Sequence, residues 1–211
     1  MKNRPGKSIF MVGLPCSGKS TLSKLLGERI GSKYFCEPEE IDWPQCVKRR
    51  NLSGTFGAAM WFRSIRSNYY YEAQQLASKG EIVIVDYYFD KVFSHCLGRP
   101  SMDWLISKND PYFSSILKIA QLDYRLLPLP DVLVFFDLEF EEWMELVLKR
   151  DRELEQGWFN RDFFQMQSYL KEAVEDLRYK HGCTVIMYKP NIDSLQESLN
   201  NLAKRLDLKI N

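Results

Sequence analysis

The stretch Ile9–Thr21, IFMVGLPCSGKST, decides the fold prediction. Its second part fits the pattern G-x-x-x-x-G-K-[ST], in which glycines let backbone amides approach phosphate oxygens closely. The four apolar residues before this pattern predict a buried strand, and the residues after it carry leucine and isoleucine at helical spacing, at positions 22, 25, 26 and 30. A strand, a glycine-rich turn and a helix together predict a phosphate-binding loop over residues 13–21.

This loop predicts ATP and Mg²⁺ as cofactors. Lys19 is expected to reach the β- and γ-phosphates and to act in catalysis, while the hydroxyl of Ser20 is a candidate Mg²⁺ ligand. The competing interpretation is a glycine-rich connection with an exposed lysine, which the flanking periodicity disfavours. The predicted nucleotide-binding residues are Gly13, Cys16, Ser17, Gly18, Lys19, Ser20 and Thr21.

Bulk composition predicts one globular domain over residues 1–211 and restricts the partners. The content is 45% hydrophobic and 27% charged, as in an ordinary folded domain, and the net charge of +1 predicts neither a nucleic acid polymer nor an anionic membrane as partner. Five cysteines without a C-x-x-C pair indicate reduced thiols. The apolar run after the basic N-terminus is too short for a signal peptide, so we expect a cytoplasmic protein.

Apolar runs alternating with helical patterns predict an α/β fold. Candidate strands cover residues 9–12, 34–36, 82–85, 132–136 and 184–187, and most are near-continuous in Val, Ile and Phe, as in strands buried on both faces. This pattern predicts a three-layer αβα fold with a five-stranded parallel sheet. Helices are expected over residues 56–79 and 140–148, over much of 90–130, and from near Asn191 or Asp193 to 206.

Two further observations select among phosphate-binding proteins. GTPases need a guanine-reading Asn-Lys-x-Asp after a strand, and residues 137–140, DLEF, do not provide it. Residues 149–157, KRDRELEQG, place Arg150 and Arg152 two apart at a predicted helix end. Arginines on a closing segment neutralise charge on a transferring phosphoryl group. We therefore predict a small-molecule kinase whose lid covers about residues 149–160, with Arg150 and Arg152 catalytic.

These residues resemble the deoxynucleoside kinase family, with thymidylate kinase-like P-loop kinases as broader relatives. Arg150-x-Arg152-x-x-Glu155 is similar to the family's lid signature, and Glu37-Pro38 is similar to its glutamate–proline pair. The resemblance implies that Glu37 is the general base for the acceptor hydroxyl and that Asp86 binds Mg²⁺ together with Ser20. It implies contacts to a nucleoside from Arg66, Asp90 and Glu155, and from Trp43, which lies one place later than the family's tryptophan.

The chain also departs from the family where Tyr87 replaces an arginine, in a segment about two residues short, and where Ala59 replaces a glutamine. The prediction is an ATP-dependent kinase that transfers the γ-phosphoryl group to a (deoxy)nucleoside or a similar small hydroxylated acceptor. One alternative is a nucleoside monophosphate kinase, in which Arg63, Arg66 or Lys91 would bind the acceptor phosphate. Another is a nucleotide sensor with little catalysis. The oligomeric state is left open, a homodimer included.

Overall fold

The computed structural model describes residues 6–49, 54–150 and 159–209. Its centre is a parallel sheet with the strand order β2-β3-β1-β4-β5. The strands are β1 (Lys7–Val12), β2 (Lys33–Phe35), β3 (Ile82–Val85), β4 (Val132–Phe136) and β5 (Thr184–Tyr188). All five predicted strands are therefore confirmed, β3 and β4 at their predicted limits and the others within two residues of them.

Helices cover both faces of the sheet, which confirms the three-layer αβα prediction. The helices are α1 (Lys19–Ile30), α2 (Gln45–Lys48), α3 (Thr55–Ser78), α4 (Phe89–Val92), α5 (Phe113–Leu126), α6 (Phe140–Arg150), α7 (Arg161–Phe164), α8 (Met166–His181) and α9 (Leu195–Arg205). Short 3₁₀ turns occupy Glu40–Asp42 and Phe93–His95. Among the described residues, no helix combines the length and the hydrophobicity that a bilayer span needs.

The alternation of side chains along β1 explains how the two faces are filled. Ile9 and Met11 pack with leucines of α1 and α9 in one cluster. Phe10 and Val12 point the other way and pack with side chains of α3, α6 and α8. Because both faces are covered, residues 9–12 of β1 and all of β4 are apolar on both sides, as the near-continuous runs in the sequence predicted.

A buried polar contact fixes the start of the central strand. Ser8 is fully buried, and both its backbone N–H and its hydroxyl donate to Oδ2 of Asp131, at 2.7 Å each. Asp131 lies immediately before β4, so this contact joins the beginnings of two neighbouring strands. A buried hydroxyl is tolerated here because its hydrogen bonds are made within the protein.

One helix prediction was wrong in extent, and the start of the last helix agrees with the nearer of its two candidates, Asp193. Residues 96–112, inside the segment expected to be largely helical, form turns, because Gly98 and Ser101 have φ values of 70° and 61° and prolines occupy positions 100 and 111. The last helix begins at Leu195 because the side chain of Ser194 caps it by accepting from Glu197 N–H. Asn191, one predicted start, instead accepts from the amides of residues 193 and 194.

The buried face of α3 also differs from the prediction. The apolar residues expected to face the core, Trp61, Phe62, Ile65, Tyr69 and Leu76, are half-buried, and of these Tyr69 and Leu76 pack against the main core cluster. The buried positions are Ala58, Arg66, Tyr70 and Ala73. An arginine takes a core position because carboxylates surround its guanidinium group, a compensation that the apolar periodicity does not reveal.

Candidate active site

The phosphate loop lies between β1 and α1 in a conformation that depends on its glycines. A Cβ atom at Gly13 would lie 2.8 Å from Cβ of Phe136, so the loop passes directly against the end of β4. Gly18 has a φ of 86°, and Cys16, a non-glycine residue, also has a left-handed backbone with a φ of 62°. The predicted strand, turn and helix are therefore present, and α1 directs its N-terminus at the loop.

Lys19 is held inside this loop. Its Nζ donates to the carbonyl oxygens of Gly13 and Leu14, at 3.0 and 2.6 Å, and to Oγ of Ser17, at 3.2 Å. Burial lowers the pKa of Lys19 to about 8 because the ammonium group loses hydration. Carbonyl dipoles compensate this cation only in part, so an anionic phosphate would be a favourable additional partner.

Ser20 and Asp86 meet as the sequence predicted. Asp86 follows β3, is 2% exposed, and its carboxyl group is hydrogen-bonded by the side chains of Ser20 and Cys36. Burial and the nearby Glu37 carboxylate raise the pKa of Asp86 to about 6. Within the part of the chain that the structure describes, its Oδ1 has no hydrogen-bond partner. A buried carboxylate oxygen beside a hydroxyl is a hard oxygen donor set, which fits the Mg²⁺ expected at this position.

Arg66 connects two carboxylates at the acceptor end. Its Nη1 donates to Glu37 Oε1 at 2.8 Å, while Nε and Nη2 donate to the two oxygens of Asp90 at 2.9 and 3.0 Å. Tyr70 adds a third bond to Asp90, from its hydroxyl to Oδ2 at 2.9 Å. The structure thus brings together the predicted base Glu37 and the predicted Arg66–Asp90 pair, and it orients all three.

A second arginine–carboxylate pair lies one helical turn away on α3. Arg63 donates to both oxygens of Asp123 of α5, at 2.5 and 2.6 Å, and Asp123 is almost fully buried. Lys91, a further candidate for binding an acceptor phosphate, is also buried and donates to the carbonyl of Leu127. All three cations considered for a phosphorylated acceptor are thus engaged within the protein.

One cavity of about 1070 Å³ joins the phosphate loop to this acceptor end. Trp43 lies on its wall, where the indole N–H donates to Pro38 O at 3.0 Å and the ring meets Phe62 edge-on. Ala59 is also on the wall, and its short side chain leaves space there. Apolar side chains complete this end, among them Met60, Phe89, Phe93, Leu105 and Ile116.

Arg150, at the end of α6, reaches the phosphate loop. Its Nη1 donates to Sγ of Cys16 at 3.2 Å. This contact places a guanidinium group beside the phosphate-binding backbone, as the lid prediction requires. Arg152, Glu155 and residues 151–158 of the predicted lid lie outside the described residues.

Sequence reasoning missed three links in the site: Arg66 to Glu37, Tyr70 to Asp90, and Arg63 to Asp123. The sequence spacing could have indicated part of this arrangement. Residues 63, 66 and 70 are three and four apart, so they share one face of α3. Their partners come from other elements, and no local pattern indicates those contacts.

Comparisons with known proteins agree with this geometry. No protein-family model matches the sequence. The chain is 25% identical over 152 residues to a probable thymidylate kinase of Methanococcus vannielii, covering 70% of this chain and 69% of the relative. It is 24% identical over 205 residues to a deoxyguanosine kinase of Dictyostelium discoideum, covering 95% and 70%. The predicted family resemblance is confirmed.

Solved structures with the same architecture are kinases as well. Deoxyadenosine kinase from M. mycoides with bound dATP has a TM-score of 0.67 at 16% identity, covering 95% of this chain and 99% of the other. Thymidylate kinase from Candida albicans has a TM-score of 0.59 at 21% identity, covering 96% and 93%. The fold is therefore that of P-loop kinases.

Proposed function

We propose that this protein is an ATP-dependent kinase that transfers the γ-phosphoryl group to the hydroxyl of a (deoxy)nucleoside or a similar small acceptor. The observation that carries the proposal is the cavity itself. One end is a phosphate loop with a half-buried lysine, and the other presents Glu37 and Asp90 held by Arg66. We further propose that residues 1–211 form one domain with a lid over about 149–160, and that the protein is cytoplasmic.

Nucleotide binding would use the loop backbone and few side chains. The backbone N–H groups of residues 13–21 other than Pro15, together with the ammonium group of Lys19, would hold the phosphates of ATP. Ser20 and Asp86 would hold Mg²⁺, directly or through water. When bound, this ion neutralises charge on the phosphate oxygens.

In the transfer step, the acceptor oxygen forms a bond to the γ-phosphorus. The bond from that phosphorus to the oxygen bridging to the β-phosphorus breaks, and ADP leaves. Glu37 takes the proton of the acceptor hydroxyl, as a general base must when a weak nucleophile reacts. Arg66 keeps the Glu37 carboxylate in position through one nitrogen and is itself fixed by Asp90 through two others.

Arg150 would stabilise the transition state from the lid side. Charge is spread over the equatorial oxygens of the moving phosphoryl group, and a guanidinium group beside the loop is well placed to bind them. Its contact with Cys16 supports this role. Arg152 is assigned the same role, and Glu155 a contact with the acceptor sugar, on the lid signature alone.

A nucleoside monophosphate kinase is the second candidate, supported by the similarity to a probable thymidylate kinase. Its acceptor phosphate would need cations at the acceptor end. Arg63 lines the cavity and its side chain is 34% exposed, but both it and Arg66 are bound to carboxylates. The charge balance therefore favours an uncharged acceptor.

An ADP-release assay with a panel of acceptors tests the proposal. The panel contains the four deoxynucleosides, their monophosphates and small polyols, and ³¹P NMR identifies each product. We expect deoxynucleosides to stimulate turnover, with Lys19→Ala as the inactive control. Stimulation by monophosphates alone would establish the second candidate. ATP binding without stimulation by any acceptor would indicate a nucleotide sensor.

A further inference from the structure

Trp143 is a fully buried residue that contacts the phosphate loop from the core. It lies in the first half of α6, and its indole N–H donates to the carbonyl oxygen of Pro15 at 2.8 Å. Pro15 and Cys16 line the cavity, whereas Trp143 belongs to the core cluster behind them. A buried indole N–H needs an acceptor. Here that acceptor is one half of a peptide unit that faces the nucleotide site.

This contact determines which way the peptide unit between Pro15 and Cys16 points. The unit is planar and trans, so its C=O and N–H have opposite directions. Because Trp143 holds the carbonyl oxygen toward the core, the N–H of Cys16 is turned toward the cavity. The orientation requires a left-handed backbone at Cys16, with a φ of 62°. A non-glycine residue keeps such a conformation only where surrounding contacts hold it.

The indole of Trp143 is itself fixed by aromatic packing on several sides. The ring of Phe163 lies nearly parallel to it, with 13° between the planes. Four rings lie with their centroids 5.4 to 6.2 Å from that of Trp143: Phe140, Phe159, Phe163 and Phe164. Packing of this kind leaves the indole little rotational freedom. The direction of its N–H is therefore set before any nucleotide binds.

The same helix makes a second contact with this part of the loop. Arg150 follows Trp143 by seven residues, which is two helical turns, so both side chains project from one face of α6. Arg150 Nη1 donates to Sγ of Cys16 at 3.2 Å. One helix thus holds the carbonyl group before Cys16 and the side chain of Cys16 itself.

We infer that Trp143 is a positioning residue for ATP: its N–H holds the peptide unit between Pro15 and Cys16 so that the Cys16 N–H can donate to a phosphate. The inference rests on the ATP-binding part of the proposed function. Without the bond from Trp143, rotation of this peptide unit relieves the left-handed φ of Cys16 and turns its N–H away from the cavity. The apparent affinity for ATP then falls with the fraction of molecules that keep the competent orientation.

An isosteric replacement tests the hydrogen bond without changing the packing. In benzothienylalanine a sulfur atom replaces the indole N–H, so this residue at position 143 keeps the ring contacts and loses the donor. We expect the Kd for ATP–Mg²⁺, measured by calorimetry, to rise about tenfold, because left-handed backbone is disfavoured by about this factor at a non-glycine residue. The KM for the acceptor at saturating ATP should stay within about twofold.

A glycine at position 16 separates positioning from packing. Glycine adopts left-handed and right-handed backbone about equally, so without the bond from Trp143 about half of the loops remain competent. Trp143→Phe should therefore raise the Kd for ATP about tenfold in the wild-type background and only about twofold in the Cys16→Gly background. It should lower the melting temperature in both, since the smaller ring leaves space in the core.

Tyr188→Phe is the matched control. Tyr188 is also buried, its hydroxyl donates to the carbonyl oxygen of Ser198 at 2.7 Å, and the described cavity lining does not include it. The variant loses the same kind of bond, from a buried side chain to a backbone carbonyl. It should melt at a lower temperature and keep the ATP affinity of the wild type.

Two results would overturn the inference while leaving the proposed function intact. One is an unchanged Kd for ATP in the benzothienylalanine protein. The other is an equal effect of Trp143→Phe on that Kd in both backgrounds, which would make Trp143 a packing residue alone. A wild type that binds ATP and phosphorylates no acceptor would refute the proposed kinase function but not the inference. A wild type that binds no ATP would refute both.

Discussion

The two ends of the cavity are built in different ways. The phosphate end comes from one continuous segment, residues 13–21, and relies on backbone amides and one lysine. The acceptor end takes Glu37 from the loop after β2, Arg66 from α3, and Asp90 from α4. Its side chains meet only when these elements pack. A local motif therefore encodes the phosphate end, while the acceptor end forms only in the tertiary fold.

The two ends also differ in charge. Lys19 is surrounded by carbonyl and hydroxyl oxygens, so the phosphate end has a desolvated cation to offer to an anion. At the acceptor end Arg66 shares its charge between Glu37 and Asp90, and Arg63 is bound to Asp123. This separation suits an anionic donor at one end and an uncharged acceptor at the other.

The largest effect is expected from a substitution at the phosphate end of the cavity. Lys19→Ala should weaken ATP–Mg²⁺ binding strongly and lower turnover by at least about 10³-fold, because the cation acts where charge develops. The fold should persist, since the lysine contributes no apolar packing. Calorimetry of ATP binding and single-turnover kinetics measure both effects. Unchanged ATP affinity would refute the role of the loop.

The next prediction concerns the acceptor end, where one substitution removes the general base without changing the shape of the site. Glu37→Gln should keep ATP affinity and reduce turnover by about 10²–10⁴-fold, as for a lost general base. The amide still accepts from Arg66, so the arrangement is preserved and only the basic oxygen is lost. Steady-state kinetics with the best nucleoside provide the measurement. If turnover stayed near normal, the base would have to be another residue, with Asp86 the next candidate.

Asp90→Ala separates binding from structure at the acceptor end. Removing this carboxylate leaves the buried Arg66 with Glu37 alone, which should lower the free energy of unfolding by roughly 3–5 kcal/mol. It should also raise the KM for the nucleoside. Urea unfolding and kinetics give the two quantities separately.

The double variant Arg66→Met/Asp90→Leu is the control, because it removes both buried charges and should regain stability but not the low KM. A single Asp90→Ala variant with reduced stability and unaltered nucleoside kinetics would make the pair purely structural.

The smallest effect concerns Asp86 and pH. Its pKa in the folded protein, about 6, lies above the ordinary 3.8, so the folded state binds this proton more tightly than the unfolded state. Protonated Asp86 therefore contributes to the free energy of unfolding. This contribution is fully present below about pH 4 and is lost as the pH rises through about 6. Without nucleotide, Asp86→Asn should therefore be more stable than the wild type at pH 7, by roughly 2–3 kcal/mol.

Urea unfolding of both proteins between pH 4 and 7 measures this difference, which should shrink toward the lower pH. Added Mg²⁺–ATP should stabilise the wild type far more than the variant. If the free energies of unfolding of the two proteins changed with pH in parallel, burial would not destabilise the ionised carboxylate of Asp86.

The sequence by itself determined the sheet, the phosphate loop and the long helix. A strand buried on both faces needs a continuous apolar run, and a phosphate loop needs glycines at fixed spacing. Both requirements are local, so β3 and β4 have their predicted limits and the loop has its predicted position. The positions of Glu37, Arg66, Asp86 and Asp90 near one edge could also be predicted, because parallel strands end at the same edge.

Only the tertiary structure decided how the acceptor side chains pair. Arg66 takes a core position on α3 because Glu37 and Asp90 approach it from other elements, and Arg63 finds Asp123 sixty residues away on α5. The turns of residues 96–112 likewise place Trp104 and Leu105 on the cavity wall. The pairing of charged residues that are far apart in sequence depends on side-chain geometry after packing. Neither apolar periodicity nor motif spacing contains that information.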